Sequence, residues 1–170
     1  MNRLLTIVLA MLLTAPAAAA DIKPGATIAG EAVALDGDTL LVDGQTVRLW
    51  GIEAPEMKDW PYGAWARAEL DRVIADKIVT CTVVDRDRYQ RLVAICNAPY
   101  RNDQVLDLAL EQLGSGVAVM YRHFTHGAGR HEGPMRKQLD SAARLYATWE
   151  RLAAERQLGI WQGRSPPERR

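Results

Sequence analysis

The stretch DGDTLLVDGQTVRLWGIEAPE, residues 36–56, contains two short alternating runs joined by a turn and flanked by carboxylates. Apolar and polar side chains alternate over residues 39–42 and 46–52, which is the period of a strand with one buried face. The dipeptide Asp43-Gly44 lies between the two runs and favours the turn of a two-residue hairpin. The stretch therefore predicts a β-hairpin with charged side chains at its ends.

The same alternation continues on both sides of this hairpin. Residues 27–35 precede it as a further strand, and residues 78–85 and 91–97 follow it as two more. A helical segment over residues 61–77 separates the third strand from the fourth. Because the strands are not each followed by a crossover helix, the pattern favours a closed antiparallel sheet over a parallel one. We predict an α+β domain with a mainly β core, an OB-fold five-stranded Greek-key barrel.

The second half of the chain has mostly helical periodicity. Two helices are predicted, over residues 103–113 and 135–158, which gives about three helices in all. Gly114 is expected to end the first of them as a left-handed cap. Trp65 and Trp149 fall on apolar helix faces, so we assign both to the core.

The first twenty residues have the features of a secretory signal peptide. Arg3 precedes a short apolar run, and Ala18 and Ala20 form a small-residue cleavage pattern. The run is too short for a membrane-spanning helix, although an uncleaved anchor is the alternative interpretation. We therefore expect a periplasmic or secreted protein with no membrane span after cleavage. Residues 21–163 would form one domain, and residues 164–170 a disordered polar tail.

Secretion changes the interpretation of the two cysteines. Cys81 and Cys96 lie in neighbouring strand-like runs, and an even cysteine count in an oxidising compartment favours a disulfide. Two free buried thiols are the alternative. Nothing near either cysteine is a partner for nucleophilic catalysis.

Composition limits the mode of action. The chain has 21 Lys+Arg against 21 Asp+Glu and is 48% hydrophobic, which excludes collagen, low-complexity disorder and a coiled coil. Zero net charge disfavours a broad basic surface that coats nucleic acid. His123, His126 and His131 match no ligand spacing, so we expect no metal role for them.

Charged residues cluster at the ends of the central hairpin. Asp36 and Asp38 lie at one strand end, Glu53 and Glu56 follow the next strand, and Arg48 lies between the two pairs. Carboxylate oxygens suit Ca²⁺ or Mg²⁺, and a metal with guanidinium groups suits a phosphoryl oxygen that gains charge. Asp-Gly pairs are also common in ordinary turns, so a purely structural role is the alternative.

A second charged segment, DRDRYQR, occupies residues 85–91. Arginine forks bind phosphate, and Tyr89, with the more distant Tyr121, could stack on bases of a single strand. A solvated hairpin tip is the alternative for this segment.

The motifs DGDT, RLWGIEAPE, DRYQR and ERLAAERQLGIW, in this order, resemble the thermonuclease (staphylococcal nuclease-like) family over residues 26–163. The chain is similar to secreted bacterial members. The resemblance implies an OB-type five-stranded barrel with three helices and Ca²⁺-dependent hydrolysis of DNA and RNA. In that family water attacks phosphorus in line and the products end in 3′-phosphate.

The resemblance also implies roles for particular residues. It implies metal ligation by Asp38, Glu53 and the carbonyl of Ala54, catalysis by Arg48, Glu56 and Arg91, and nucleotide contact by Tyr89.

Three features depart from the family pattern. Glu53 stands where the family typically has aspartate, so we expect weaker Ca²⁺ binding or an altered metal preference. Gln90 replaces a common glycine, which would alter the turn that aims Arg91 if that glycine had a positive φ. Residues 125–144 form a longer stretch than expected.

Two classes of function therefore compete. The leading hypothesis is a secreted, monomeric, Ca²⁺-dependent nuclease that acts on DNA and RNA and prefers single strands. The alternative is a non-catalytic OB-fold module of the cell envelope that binds nucleic acid or protein and carries a degenerate site. A purely structural envelope protein is disfavoured because a scaffold needs none of the clustered Asp, Arg and Glu residues.

Overall fold

The computed structural model describes residues 22–122 and 131–164 of the 170-residue chain. The expected signal peptide at residues 1–20 lies outside this part, as do His123, His126 and nearly all of the expected tail. Among the helices of the described residues, none is both long and apolar enough to cross a membrane.

The described residues contain eight strands and three α-helices, with short 3-10 helices at Arg101–Asp103 and Gly159–Trp161. The strands are β1 (Thr27–Ala34), β2 (Thr39–Val42), β3 (Gln45–Leu49), β4 (Ile52–Glu53), β5 (Ile78–Arg86), β6 (Leu92–Pro99), β7 (Val105–Asp107) and β8 (Val119–Met120). The helices are α1 (Tyr62–Ile74), α2 (Leu108–Gly114) and α3 (Gly133–Glu155).

Five of the strands pair in a closed ring. Their order is β3-β2-β1-β5-β6, and each strand in this order pairs antiparallel with the next. A parallel pairing between the first and last strands, β3 and β6, closes the ring. Strand β7 extends the sheet beyond β6, while β4 and β8 form a separate two-stranded ladder. The predicted α+β fold with a mainly β core, five principal strands and three helices is confirmed.

Local chemistry explains the two hairpins of the ring. Asp43 and Gly44 have φ of 46° and 73°, the left-handed pair that a tight two-residue turn between β2 and β3 requires. Cys81 and Cys96 lie directly opposite each other on β5 and β6 and form a disulfide. The predicted hairpin turn and the predicted disulfide are therefore both present.

The start and end of α2 differ from the prediction. The helix begins only after Asp107, whose carboxylate accepts hydrogen bonds from the backbone N–H groups of Ala109 and Leu110. Gly114 is not the left-handed cap, because α2 runs through it and Gly116 takes the positive φ of 70°. Any side chain at Gly116 would also overlap the backbone of Leu158.

The assignment of two tryptophans to the core is wrong. Trp65 is 46% exposed, because the buried face of α1 carries Ala66 and Leu70, one step round the helix. Trp149 is 40% exposed and lies with one edge of its ring against Gly114 of α2. Gly114 therefore permits the close approach of α2 and α3 and does not cap α2.

Helix α3 packs on the ring through a narrow stripe. Leu139 and Tyr146 are buried, and the Tyr146 hydroxyl donates to the carboxylate of Asp107 at 2.9 Å. Burial raises the pKa of Asp107, although the hydrogen bonds it accepts oppose this. This contact joins α3 to the start of α2.

Candidate active site

A cleft of about 680 Å³ lies between the ends of the β2–β3 hairpin and the tip of the β5–β6 hairpin. Its wall contains all eight residues selected from the sequence: Asp38, Arg48, Glu53, Ala54, Glu56, Tyr89, Arg91 and Tyr121. They converge because β3 pairs with β6, which sets Arg48 opposite Val93 and brings the β5–β6 hairpin beside the central hairpin. The fold thus gathers residues from distant parts of the chain into one cleft.

Asp38 is the most constrained carboxylate of this cleft. Its side chain accepts hydrogen bonds from the Ala54 N–H at 2.7 Å and the Thr39 hydroxyl at 3.0 Å, and it pairs with Arg48 at 3.0 Å. Burial nevertheless raises the pKa of Asp38 to about 6, although Arg48 and the Ala54 N–H lower it. One guanidinium therefore does not fully compensate the buried charge, and a further cation would stabilise it.

The loop that carries Asp38 is held tightly. A Cβ at Gly37 would overlap the Cβ atoms of Ala54 and Ala66, so only glycine fits between them. The backbone N–H of Asp38 donates to Asp36 Oδ1 at 3.0 Å. The Asp-Gly pair thus forms a turn and also sets a charged side chain into the cleft, so the two sequence interpretations are compatible.

Gln112 of α2 supports this loop from inside the protein, and the sequence interpretation missed it. The side chain is fully buried, and its Nε2 donates to the carbonyl oxygens of Gly37 at 2.6 Å and Ala66 at 2.9 Å. The only available sign was a glutamine beside buried Leu108, Ala109 and Leu113, a polar residue on an apolar helix face.

The loop that carries Glu56 is anchored through its backbone. The N–H of Glu56 donates to Asp59 Oδ2 at 3.2 Å, and the N–H of Asp59 returns to the Glu56 carbonyl at 2.8 Å. A Cβ at Gly63 would overlap that same carbonyl, so α1 packs directly on the loop. The Glu56 side chain itself is exposed in the cleft.

The β5–β6 hairpin tip fixes the second arginine. Asp87 accepts a hydrogen bond from Arg91 Nε at 2.7 Å and from the backbone N–H groups of Tyr89 and Arg91. Partial burial raises the pKa of Asp87, but these hydrogen bonds outweigh burial and the pKa is lowered overall. The guanidinium of Arg91 also lies 5.5 Å from the centre of the exposed Tyr89 ring.

Gln90 occupies the left-handed region expected of the glycine it replaces. Its φ is 66°, its N–H donates to the Asp87 carbonyl at 3.0 Å, and its own carbonyl accepts from Arg86 at 2.8 Å. These bonds hold Gln90 in a left-handed turn, and Arg91 lines the cleft.

The wall of the cleft carries carboxylate side chains, the kind of oxygen donor that hard divalent cations accept. The described residues contain no group of three acidic, histidine or cysteine side chains close enough to share an ion. The protein ligands would be the carboxylates of Asp38 and Glu53 with the Ala54 carbonyl. Ca²⁺ accepts carboxylates, backbone carbonyls and water in irregular geometry.

The chain matches a known protein family over most of its length. Residues 46–163 match the family described as "Staphylococcal nuclease homologue". This span includes every residue of the cleft named above except Asp36 and Asp38.

Individual relatives have related names. An uncharacterized endonuclease of Escherichia coli is 41% identical over 69 residues, 38% of this chain and 44% of the relative. Probable endonuclease LCL3 of Saccharomyces cerevisiae is 32% identical over 120 residues, 68% of this chain and 40% of the relative. Staphylococcal-like nuclease CAN1 of Arabidopsis thaliana is 27% identical over 136 residues, which are 79% of this chain and 35% of the relative. The matched part is thus less than half the length of each relative.

Proposed function

The chain belongs to the staphylococcal nuclease family, and from this membership we propose that it is a Ca²⁺-dependent nuclease that hydrolyses phosphodiester bonds of DNA and RNA. Water would attack phosphorus in line and leave a 3′-phosphate. One observation carries the proposal: two arginines and the carboxylates Asp38 and Glu56 line a single cleft. This is the set of charges that phosphoryl transfer requires.

The side chains have distinct tasks in this proposal. Arg48 and Arg91 bind the phosphoryl oxygens, and they bind more strongly as negative charge grows there. Glu56, exposed in the cleft, accepts the proton of the attacking water. Ca²⁺ held by Asp38, Glu53 and the Ala54 carbonyl would supply positive charge beside the phosphoryl group.

Both arginines already have acidic partners that orient them. Arg48 lies between Asp38 and the carbonyl of Leu49, and it is only 7% exposed. Arg91 is held by Asp87. Each guanidinium is therefore fixed before substrate arrives, which lowers the entropy cost of binding a phosphate.

We further propose a single-stranded substrate and an oxidising compartment. Tyr89 is 63% exposed and Tyr121 lines the same cleft, so two aromatic rings lie where the bases of a single strand would pass; the Arg88 guanidinium lies 4.7 Å from the centre of the Tyr89 ring. The disulfide between Cys81 and Cys96 supports a periplasmic or secreted location, since such bonds persist there.

The decisive experiment measures hydrolysis of denatured DNA and RNA by the purified protein. We expect activity with Ca²⁺, loss to background when a chelator removes the ion, and recovery when Ca²⁺ is returned in excess. Hydrolysis that persists in chelator would contradict the metal requirement. Ion-independent binding of an oligonucleotide without hydrolysis would instead identify a non-catalytic binding module.

Ca²⁺ binding should depend on pH through Asp38. Because the pKa of Asp38 is raised to about 6 in the folded protein, the carboxylate is ionised at pH 7 and mostly protonated at pH 5. A proton and the ion compete for the same oxygens, so we expect Ca²⁺ affinity about tenfold lower at pH 5 than at pH 7. Calorimetric titration of the protein with Ca²⁺ at the two pH values measures this.

The matched control for this titration is Asp87→Asn. The pKa of Asp87 is lowered, so Asp87 stays ionised over the whole interval and its loss should leave the pH dependence intact. Equal affinities of the wild-type protein at pH 5 and pH 7 would exclude Asp38 as a ligand with the stated pKa.

A further inference from the structure

The peptide unit that precedes Asp38 is held at both of its polar ends. Its N–H, on Asp38, donates to Asp36 Oδ1, and its carbonyl oxygen, on Gly37, accepts from Gln112 Nε2 at 2.6 Å. The orientation of this peptide plane determines the direction in which the Asp38 side chain leaves the backbone. Gln112 therefore acts on the direction of the Asp38 carboxylate without touching the cleft.

The second hydrogen bond of Gln112 reaches helix α1, which supports the other acidic loop. Ala66 belongs to α1, and Gly63 of the same helix packs against the carbonyl of Glu56. One carboxamide thus connects the loop of Asp38 with the helix that supports the loop of Glu56. This connection adds to the direct links between the two segments, which are the Asp38–Ala54 hydrogen bond and the packing of Gly37 on Ala54 and Ala66.

Packing alone does not account for a glutamine at this position. The neighbouring positions on the buried face of α2 are Leu108, Ala109 and Leu113, and no hydrogen-bond partner for Gln112 Oε1 is found among the described residues. A buried acceptor without a partner lowers stability, and an apolar side chain would avoid that cost. What glutamine adds here is a pair of N–H donors, one to the loop of Asp38 and one to helix α1.

We propose that Gln112 is a positioning residue that sets the Asp38 carboxylate for ion binding, an inference that rests on the proposed Ca²⁺-dependent function. Gln112 contacts neither ion nor substrate. It acts through the backbone of Gly37 and of α1. Residues that orient metal ligands in this indirect way typically change metal affinity by 10- to 100-fold when they are replaced.

The test compares Gln112 with Tyr146, two buried residues whose side chains donate hydrogen bonds. Gln112→Met removes both donors and keeps an unbranched side chain of similar length, while Gln112→Asn keeps the carboxamide but shortens its reach. The matched control is Tyr146→Phe, which removes the buried hydrogen bond to Asp107 at the start of the same helix. Calcium affinity is measured by calorimetry with the ion alone, and hydrogen exchange reports order at residues 36–38.

We expect both classes of variant to lower the melting temperature; in Gln112→Met the buried Gly37 carbonyl loses its donor, which outweighs the removal of the unpaired Oε1. Only the Gln112 variants should weaken Ca²⁺ binding, by at least tenfold for Gln112→Met, and accelerate amide exchange at residues 36–38. Unchanged affinity and exchange in either folded Gln112 variant, or equal losses in Tyr146→Phe, would overturn the proposal. If the wild-type protein bound no Ca²⁺ but exchange still increased only in Gln112 variants, the proposed function would fail while the loop-positioning role survived.

Discussion

Replacing Glu56 with glutamine should lower kcat for denatured DNA by about 10²- to 10⁴-fold, the range that a positioned general base contributes. A carboxamide keeps the size and much of the polarity of the side chain but does not accept the proton of the attacking water. Because Glu56 is exposed and its loop is held through backbone contacts, we expect the melting temperature to stay unchanged. Initial rates at saturating substrate and Ca²⁺, together with a thermal melt, measure the two quantities.

The control for this variant is Glu31→Gln. Glu31 is an exposed glutamate on β1 outside the cleft, so the same change of charge there should leave kcat within about twofold of wild type. A wild-type rate for Glu56→Gln at saturating Ca²⁺ would mean that another group accepts the proton. A large fall in Ca²⁺ affinity with unchanged kcat would reassign Glu56 to the metal.

Of the substitutions described above and here, removal of the disulfide should produce the largest loss of stability. The bond between Cys81 and Cys96 closes a segment with a sequence separation of 15, and such a cross-link stabilises by about 3 kcal/mol through the entropy of the unfolded chain. For a chain of this size that loss corresponds to a fall of roughly 6–12 °C in Tm. The double variant Cys81→Ala and Cys96→Ala, compared with wild type by calorimetry, measures it.

A reducing agent separates the cross-link from the packing of the two sulfur atoms. Both cysteines are buried, so the alanines also remove packed volume. Reduction should lower the Tm of wild type towards that of the double variant and leave the variant unchanged. A variant as stable as the oxidised wild type would show that the bond contributes little to folding.

The ring of strands was predictable because its evidence is local. The two-residue period of each strand and the Asp43-Gly44 turn act within a few residues, and the structure has the same hairpin. The residues of the cleft were predictable for another reason. Their order along the chain resembles a family whose fold gathers them, although no single motif shows where Arg48 and Arg91 would meet.

The helix contacts were less predictable because they depend on the neighbour of each helix. The sequence of α1 does not show whether Trp65 or Ala66 turns inward, and the choice is made by β1 and α2, on which α1 packs. Gly114 was expected to end a helix, but it makes room for the ring of Trp149, which lies 35 positions along. Gln112 likewise binds Gly37 and Ala66, and no local pattern predicts that pairing.

The parallel pairing of β3 with β6 joins parts of the chain that are far apart in sequence. Arg48 is made and can enter the β2–β3 hairpin early, whereas Arg91 joins it only when β6 pairs with β3 across the intervening strands and helix. Contacts between distant parts of a chain form slowly because loop closure precedes their stabilisation. A chain still in synthesis or incompletely folded thus holds its two arginines apart. We therefore expect an incompletely folded chain to lack the proposed nuclease activity, so that it would not cut the nucleic acid of the cell that makes it.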